Sequence, residues 1–209
     1  MKKQNDETLN KQNDEILNIL IAGFGGQGVL FLGKLIAHAG VLLGKHVTWL
    51  PSYGPEMRGG TANCAVILSD EPIGSPIVSE PDVLIAMNLP SLNAYQSRVQ
   101  ADGTILYDAS LIQESPARTD VHILPLPATR LATEAGLDGL SNMILLGAFL
   151  KECLPLSEAE IRHALEQTVP AHKTHLIEAN LHAIAIGKQE FDQAAQNSAA
   201  SAQRPRRAG

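Results

Sequence analysis

The chain has 209 residues, and 44% of them are hydrophobic, which is enough to build the core of one domain of ordinary size. Its 16 Lys and Arg residues stand against 22 Asp and Glu residues, and the resulting net charge of −6 argues against nucleic acid or an anionic membrane as a main partner, because both need a basic face. Charged residues make up 18%, a low fraction that indicates a surface partly covered by a partner.

The two ends of the chain differ in composition from the part between them. Residues 3–10 and 11–18 nearly repeat each other as KQNDETLN and KQNDEILN, and we predict a polar arm over residues 1–17. From residue 191 onward the chain is rich in Ala, Gln and Ser and has little to bury, which predicts a disordered tail over residues 191–209. No linker interrupts residues 18–190, so we predict one domain there.

Between these ends, short apolar runs alternate with segments of helical periodicity. The alternation predicts an α/β fold: a mostly parallel, Rossmann-like sheet with helices on both faces, in a single domain. The predicted strands cover residues 19–22, 47–50, 61–68, 82–87, 103–108 and 121–124. The predicted helices cover residues 27–43, 90–99, 128–135, 142–152, 157–167 and 175–188.

A glycine-rich turn, GFGGQG at residues 23–28, joins the first strand to the first helix. This is the GxGxxG pattern in the strand–turn–helix setting that gives it meaning. Glycines allow a close backbone approach, and the free N–H groups at a helix start attract anions. We therefore predict an anion site made by the N–H groups of Gly25, Gly26, Gln27 and Gly28.

Two other interpretations of the glycine turn stay open. An NAD site would need an acidic residue about 20 positions later, at the end of the second strand. That strand ends in WLPS, residues 49–52, with no acid, which weakens the interpretation. Alternatively, the glycines serve only to let the helix pack tightly on the strand.

The segment after the second strand, SYGPEMRGGT at residues 52–61, combines glycines with an aromatic ring, a carboxylate and a guanidinium group. It follows a strand whose carboxyl end should lie beside the glycine turn, at the edge where open α/β sheets bind ligands. We predict that Tyr53, Glu56 and Arg58 contact a ligand, a cofactor edge or another subunit. The alternative is an ion pair between Glu56 and Arg58 on a surface turn.

Four motifs in the order GFGGQG, YGPEMRGGTAN, PDVLIAMN and SNMILLGAFL resemble the gamma subunit of 2-oxoacid:ferredoxin oxidoreductases, over about residues 19–187. This family includes enzymes for pyruvate, 2-oxoglutarate, and branched-chain or indolepyruvate acids. The resemblance implies a complex that decarboxylates a 2-oxoacid to acyl-CoA and CO2 and reduces ferredoxin. On overall resemblance, 2-oxoglutarate is favoured as the acid.

The resemblance also implies how cofactors are shared among the chains of that complex. Thiamine diphosphate and Mg²⁺ would lie between alpha and beta subunits, and iron–sulfur clusters in beta and in a ferredoxin-like delta subunit. Coenzyme A is a further participant. This chain would bind no cofactor on its own and would carry no catalytic residue. Asn142 matches the family's NM motif, either as a residue near a helix N-cap or as a contact to the glycine turn or a partner.

The cysteines and histidines support this division of labour. Cys64 and Cys153 are the only cysteines, too few for an iron–sulfur cluster, and two isolated thiols fit a cytoplasmic protein. The histidines form no compact ligand set, so we predict no metal site, and no apolar run is long enough to span a membrane. The competing functions are a stand-alone nucleotide-binding module and a purely structural scaffold subunit.

Overall fold

Six strands form one sheet in the computed structural model, which describes residues 16–52 and 61–202 of the chain. Each strand predicted from the sequence is present. The strands are β1 (Ile16–Phe24), β2 (His46–Ser52), β3 (Thr61–Ser69), β4 (Val83–Ala86), β5 (Thr104–Asp108) and β6 (His122–Leu126). From one edge of the sheet to the other their order is β2-β3-β1-β4-β5-β6.

The sheet is mostly parallel, as predicted, and β3 is the strand that runs the other way. β1, β4, β5 and β6 pair in parallel, whereas β3 pairs antiparallel with both β1 and β2. Only residues 53–60 separate β2 from β3, and a parallel crossover needs a dozen residues or more. β3 therefore returns antiparallel, with Thr61 opposite Phe24 at the end of β1.

Helices cover both faces of the sheet, which confirms the predicted fold class. The helices are α1 (Val29–Leu42), α2 (Leu89–Tyr95), α3 (Ala128–Glu134), α4 (Ser141–Glu152), α5 (Glu158–Thr168) and α6 (Ile177–Ala202). α2 packs on one face in a small apolar cluster, and the other helices contribute to a larger cluster on the opposite face. The chain therefore changes face between α1 and α2.

The central strands have both of their faces in the core. Ile21 of β1 and Ile85 of β4 belong to the larger cluster, and Leu20 and Leu84 beside them belong to the cluster under α2. Successive side chains of a strand point to opposite faces, so a strand covered on both sides is apolar throughout. This explains the continuous apolar runs by which these strands were predicted.

The first strand begins earlier than predicted. β1 starts at Ile16, so two residues of the predicted polar arm over residues 1–17 belong to the sheet. They pair with Ser69 and Leu68 of β3, because β3 is long enough to match them. The rest of that arm, residues 1–15, lies outside the described residues.

The prediction of a disordered tail from residue 191 was wrong for its first part, because α6 continues to Ala202. Ala and Gln are good helix formers, so a composition poor in apolar residues still extends a helix that is already docked. The half-buried Phe191 packs against the core, and Asp192 forms a 2.9 Å ion pair with Lys151 of α4. Residues 203–209 lie outside the described residues.

Candidate functional site

The glycine turn lies where β1 ends and α1 begins, at the carboxyl edge of the parallel strands. Gly26 and Gly28 have φ angles of +94° and +78°, in the left-handed region that glycine adopts without strain. Gly28 is the N-cap of α1, no side chain caps this end, and the first turn holds no acidic residue. The positive end of the α1 dipole is therefore not neutralised by a side chain of the helix itself.

This turn borders the place where the chain changes direction across the sheet. After β1 the chain builds β2 and β3 on one side, and it then builds β4, β5 and β6 on the other. α1 and α2 leave β1 and β4 toward opposite faces, which opens a crevice between the carboxyl ends of these two strands. Open α/β sheets bind ligands at such a topological switch point.

The side chain of Gln27 crosses that crevice. Its Oε1 accepts a 2.6 Å hydrogen bond from the backbone N–H of Phe24, and its Nε2 donates at 3.0 Å to the carbonyl oxygen of Met87, just past β4. The backbone N–H of Gln27 donates at 3.2 Å to the carbonyl oxygen of Phe24. This N–H is used inside the turn, so the prediction that it faces an anion is corrected, and Gln27 is a residue that shapes the turn.

Asn88 continues the connection to α2. Its Nδ2 donates at 3.2 Å to Oε1 of Gln27, and its Oδ1 accepts at 2.8 Å from the backbone N–H of Ser91, which makes Asn88 the N-cap of α2. The residue is only 4% exposed. From the sequence, Asn88 is a weaker site candidate at this edge, just after the fourth strand, and an Asn directly before Leu-Pro is also a recognisable cap signal.

Asn142 contacts the glycine turn from the face of the sheet that carries the larger apolar cluster. Its Nδ2 lies 3.4 Å from the carbonyl oxygen of Gly28, and its Oδ1 accepts at 3.0 Å from the backbone N–H of Met143. The N-cap of α4 is Leu140, so Asn142 lies inside the helix. Both predicted roles are therefore present, because Asn142 lies two residues after the N-cap and also contacts the glycine turn.

Tyr53, Glu56 and Arg58 lie outside the described residues, so their predicted contacts stay predictions. The described residues that flank this segment do lie beside the glycine turn. Thr61 pairs with Phe24, and Ser52 pairs with Asn63. Both flanks therefore reach the same edge of the sheet as the glycine turn.

Asp108, at the carboxyl end of β5, is a buried polar residue that sequence analysis missed. Its carboxylate is 1% exposed and accepts hydrogen bonds from Oγ1 of Thr129 at 2.5 Å and from the N–H of Ser110 at 3.0 Å. It fixes the start of α3, since it also accepts from the N–H of Thr129 at 3.2 Å. Its signal in the sequence is a single acid that ends an apolar strand.

A cleft of about 580 Å³ lies at the opposite end of the strands, and its walls include Asp82, Gly103, His122 and Cys153. Among residues 16–52 and 61–202, no group of three or more His, Cys, Asp or Glu side chains could hold a metal ion. The helices of this described part include none with the length and apolarity to cross a bilayer.

Comparison with known proteins gives consistent matches. The family profile described as pyruvate ferredoxin/flavodoxin oxidoreductase matches residues 18–190. The ketoisovalerate oxidoreductase subunit VorA of Methanothermobacter thermautotrophicus is 40% identical over 174 residues, which are 83% of this chain and 36% of that protein. The chain thus spans about a third of the length of that relative.

Two further matches are similar to the chain over most of their own length. The 2-oxoglutarate synthase subunit KorC of Methanothermobacter marburgensis is 36% identical over 159 residues, which are 73% of this chain and 86% of that protein. The crystal structure of the gamma subunit of a keto/oxoacid ferredoxin oxidoreductase from Geobacter sulfurreducens superposes with a TM-score of 0.72 at 25% identity. It covers 84% of this chain and 98% of that chain, which confirms the resemblance to gamma subunits.

Proposed function

The chain belongs to the pyruvate ferredoxin/flavodoxin oxidoreductase family, and from this premise we propose that it works as the gamma subunit of a 2-oxoacid:ferredoxin oxidoreductase complex. The observation that carries the proposal is the match to KorC over 86% of that subunit's length.

In the proposed complex, a 2-oxoacid and coenzyme A are converted to acyl-CoA and CO2, and the two electrons released pass one at a time to ferredoxin through iron–sulfur clusters. Alpha and beta subunits supply thiamine diphosphate and Mg²⁺, and beta and delta subunits supply the clusters. The two thiols of this chain, Cys64 and Cys153, are too few to ligate a cluster. Its task is to complete the wall of the active-site cleft.

The glycine turn is the part of this chain that we assign to a ligand. Gly25 and Gly26 are exposed, and space is open where their side chains would be. Together with Gly28 and the uncapped start of α1, they present backbone N–H groups and the positive helix end to an anion. We assign a phosphate group of coenzyme A as this anion, because the pocket for the 2-oxoacid carboxylate belongs to partner subunits in this scheme. Tyr53, Glu56 and Arg58 would face the alpha–beta interface.

We propose two candidates for the 2-oxoacid, in order of preference. 2-Oxoglutarate comes first, because KorC matches over most of its length. A branched-chain acid such as ketoisovalerate is the second candidate, because VorA has the higher identity, 40%. The acid-binding pocket belongs to partner subunits in this scheme, so both acids should be assayed with the purified complex.

Co-purification tests the proposal directly. A tagged full-length chain should bring down a thiamine-dependent chain and a ferredoxin-like chain, and the complex should reduce a low-potential dye only when a 2-oxoacid and coenzyme A are both present. Arg58→Ala should weaken assembly or turnover. A chain that purifies alone and binds NAD would instead support the stand-alone nucleotide-binding module, and an assembled complex indifferent to Gly26→Val would support the structural scaffold.

A further inference from the structure

Two side-chain amides, those of Gln27 and Asn88, join the glycine turn to α2 across the crevice between β1 and β4. Oε1 of Gln27 receives hydrogen bonds from the N–H of Phe24 at 2.6 Å and from Nδ2 of Asn88 at 3.2 Å. Nε2 of Gln27 donates at 3.0 Å to the carbonyl of Met87, and Oδ1 of Asn88 accepts at 2.8 Å from the N–H of Ser91. This series of hydrogen bonds therefore links the glycine turn to the N-terminus of α2.

The backbone dictates how both amides are oriented. The N–H of Phe24 can only donate and the carbonyl of Met87 can only accept, so Oε1 of Gln27 must face the first and Nε2 the second. The N–H of Ser91 can only donate, so Oδ1 of Asn88 must face it and Nδ2 is left to face Gln27. Either amide, if rotated by half a turn, would place like groups together. The network therefore has one self-consistent arrangement.

We propose that Asn88 is a positioning residue that, through Gln27, holds the glycine turn in its observed conformation. If the glycine turn binds coenzyme A, as proposed above, this positioning should make the binding tighter, and that part of the inference rests on the proposed function. Asn88 is 4% exposed, so water cannot readily replace its bond to Gln27. Once that bond is lost, Oε1 of Gln27 keeps a single partner, and the side chain is freer to leave Phe24 and Met87.

Two substitutions separate this role from capping of α2. Asn88→Ser keeps an oxygen that can cap α2 and stays neutral, but it is too short to reach Gln27. Asn88→Asp keeps the size and the capping oxygen, but it lacks the N–H donor and adds a charge. Asn93→Asp is the matched control, because Asn93 lies exposed on the same helix and, among the described residues, its side chain bonds only that of Gln96.

Hydrogen exchange of the full-length chain tests the connection itself. In Asn88→Ser and Asn88→Asp, the N–H of Phe24 should exchange about five- to tenfold faster than in the wild type, the change that one ordinary hydrogen bond produces. The N–H of Ser91 should change less than about twofold, because the cap remains. Asn93→Asp should leave both rates unaltered. Unchanged exchange of Phe24 in both Asn88 variants would overturn the inference.

Steady-state kinetics of the assembled complex test the consequence. Both Asn88 variants should raise the KM for coenzyme A about five- to tenfold with kcat within about twofold. An increase in Asn88→Asp alone would point to charge rather than position and would overturn the inference. The inference would also be overturned if Gly26→Val raised the KM for coenzyme A and neither Asn88 variant did. If Gly26→Val also leaves KM unchanged, the proposed function of the turn fails, and the exchange rates alone decide the role of Asn88.

Discussion

The side-chain amide of Asn142 lies 3.4 Å from the carbonyl oxygen of Gly28, a contact between residues 114 positions apart. A Cβ atom placed on Gly28 would lie 3.0 Å from Cγ of Asn142 and still closer to its Nδ2. The glycine is therefore required twice, once for its φ angle of +78° and once for the approach of Asn142. The start of α4 thus fixes the turn that opens α1.

Alanine at three positions of the turn should have graded costs. Gly25→Ala should change the free energy of unfolding by less than about 0.5 kcal/mol, because its φ angle is ordinary and the space is open. Gly26→Ala should cost about 1–2 kcal/mol, for a positive φ angle alone. Gly28→Ala should cost about 3 kcal/mol or more, because strain and overpacking add. Urea unfolding measures all three, and equal costs at Gly26 and Gly28 would contradict the role of Asn142.

Removal of the Asn142 side chain should reduce the destabilisation that Gly28→Ala causes. In an Asn142→Ala background, the obstructing amide is absent, so the cost of Gly28→Ala should fall to about that of Gly26→Ala, roughly 1–2 kcal/mol. The coupling energy comes from a double-mutant cycle of urea unfolding. If the two single costs simply add, something other than Asn142 restricts position 28.

The strands were predictable because their residues are buried on both faces. Burial on two sides demands an apolar residue at each position, as in the VLIA run of β4, and this pattern needs no knowledge of the rest of the fold. The insertion of β3 between β1 and β2 was not predicted, although the short connection over residues 53–60 excludes a parallel crossover. The antiparallel return of β3 could therefore have been predicted from the length of this connection in the sequence.

The roles of the site residues were harder to predict than their location. GxGxxG indicates a turn, but the pattern says nothing about the side chain at its variable position, and Gln27 points inward to Met87. The partner of Asn142 is far away in sequence, so local patterns could suggest its position near a helix cap but could not reveal the distant contact with Gly28. Long-range contacts follow from the packing of whole helices, which composition and periodicity do not specify.

The crossing of α4 and α6 should be intolerant of any added side chain. A Cβ atom on Gly147 would lie 2.9 Å from Cα of Gly187 and would clash with the carbonyl oxygen of Ile184. Because backbone cannot move aside as a side chain can, Gly147→Ala should destabilise the chain by about 2–3 kcal/mol in urea unfolding. Gly74→Ala, at a position with open space, is the matched control. A small effect at Gly147 would mean that the two helices can separate at little cost.

Alkaline pH should destabilise the chain in part through its buried thiols. Burial raises the pKa of Cys64 from 9.0 to about 12, and burial with the nearby Glu152 carboxylate does the same for Cys153. Between pH 9 and pH 12 the unfolded thiol loses its proton while the folded thiol keeps it. The unfolded state then binds fewer protons, so the free energy of unfolding falls as pH rises through this window.

Urea unfolding at a series of pH values checks this expectation. Stability should decline less steeply above about pH 9 in Cys64→Ala than in the wild type, whatever the offset that the smaller side chain introduces at neutral pH. Iodoacetamide should modify neither thiol of the folded chain at about pH 8, because the thiolate is the reactive form. The same alkaline slope in both chains, or rapid modification of folded Cys64, would show that its thiol ionises in the native state. In the structure, Sγ of Cys64 lies 3.5 Å from the carbonyl oxygen of Val29 in α1. Strand β3 and helix α1 would then have to separate locally at this contact without unfolding of the whole chain.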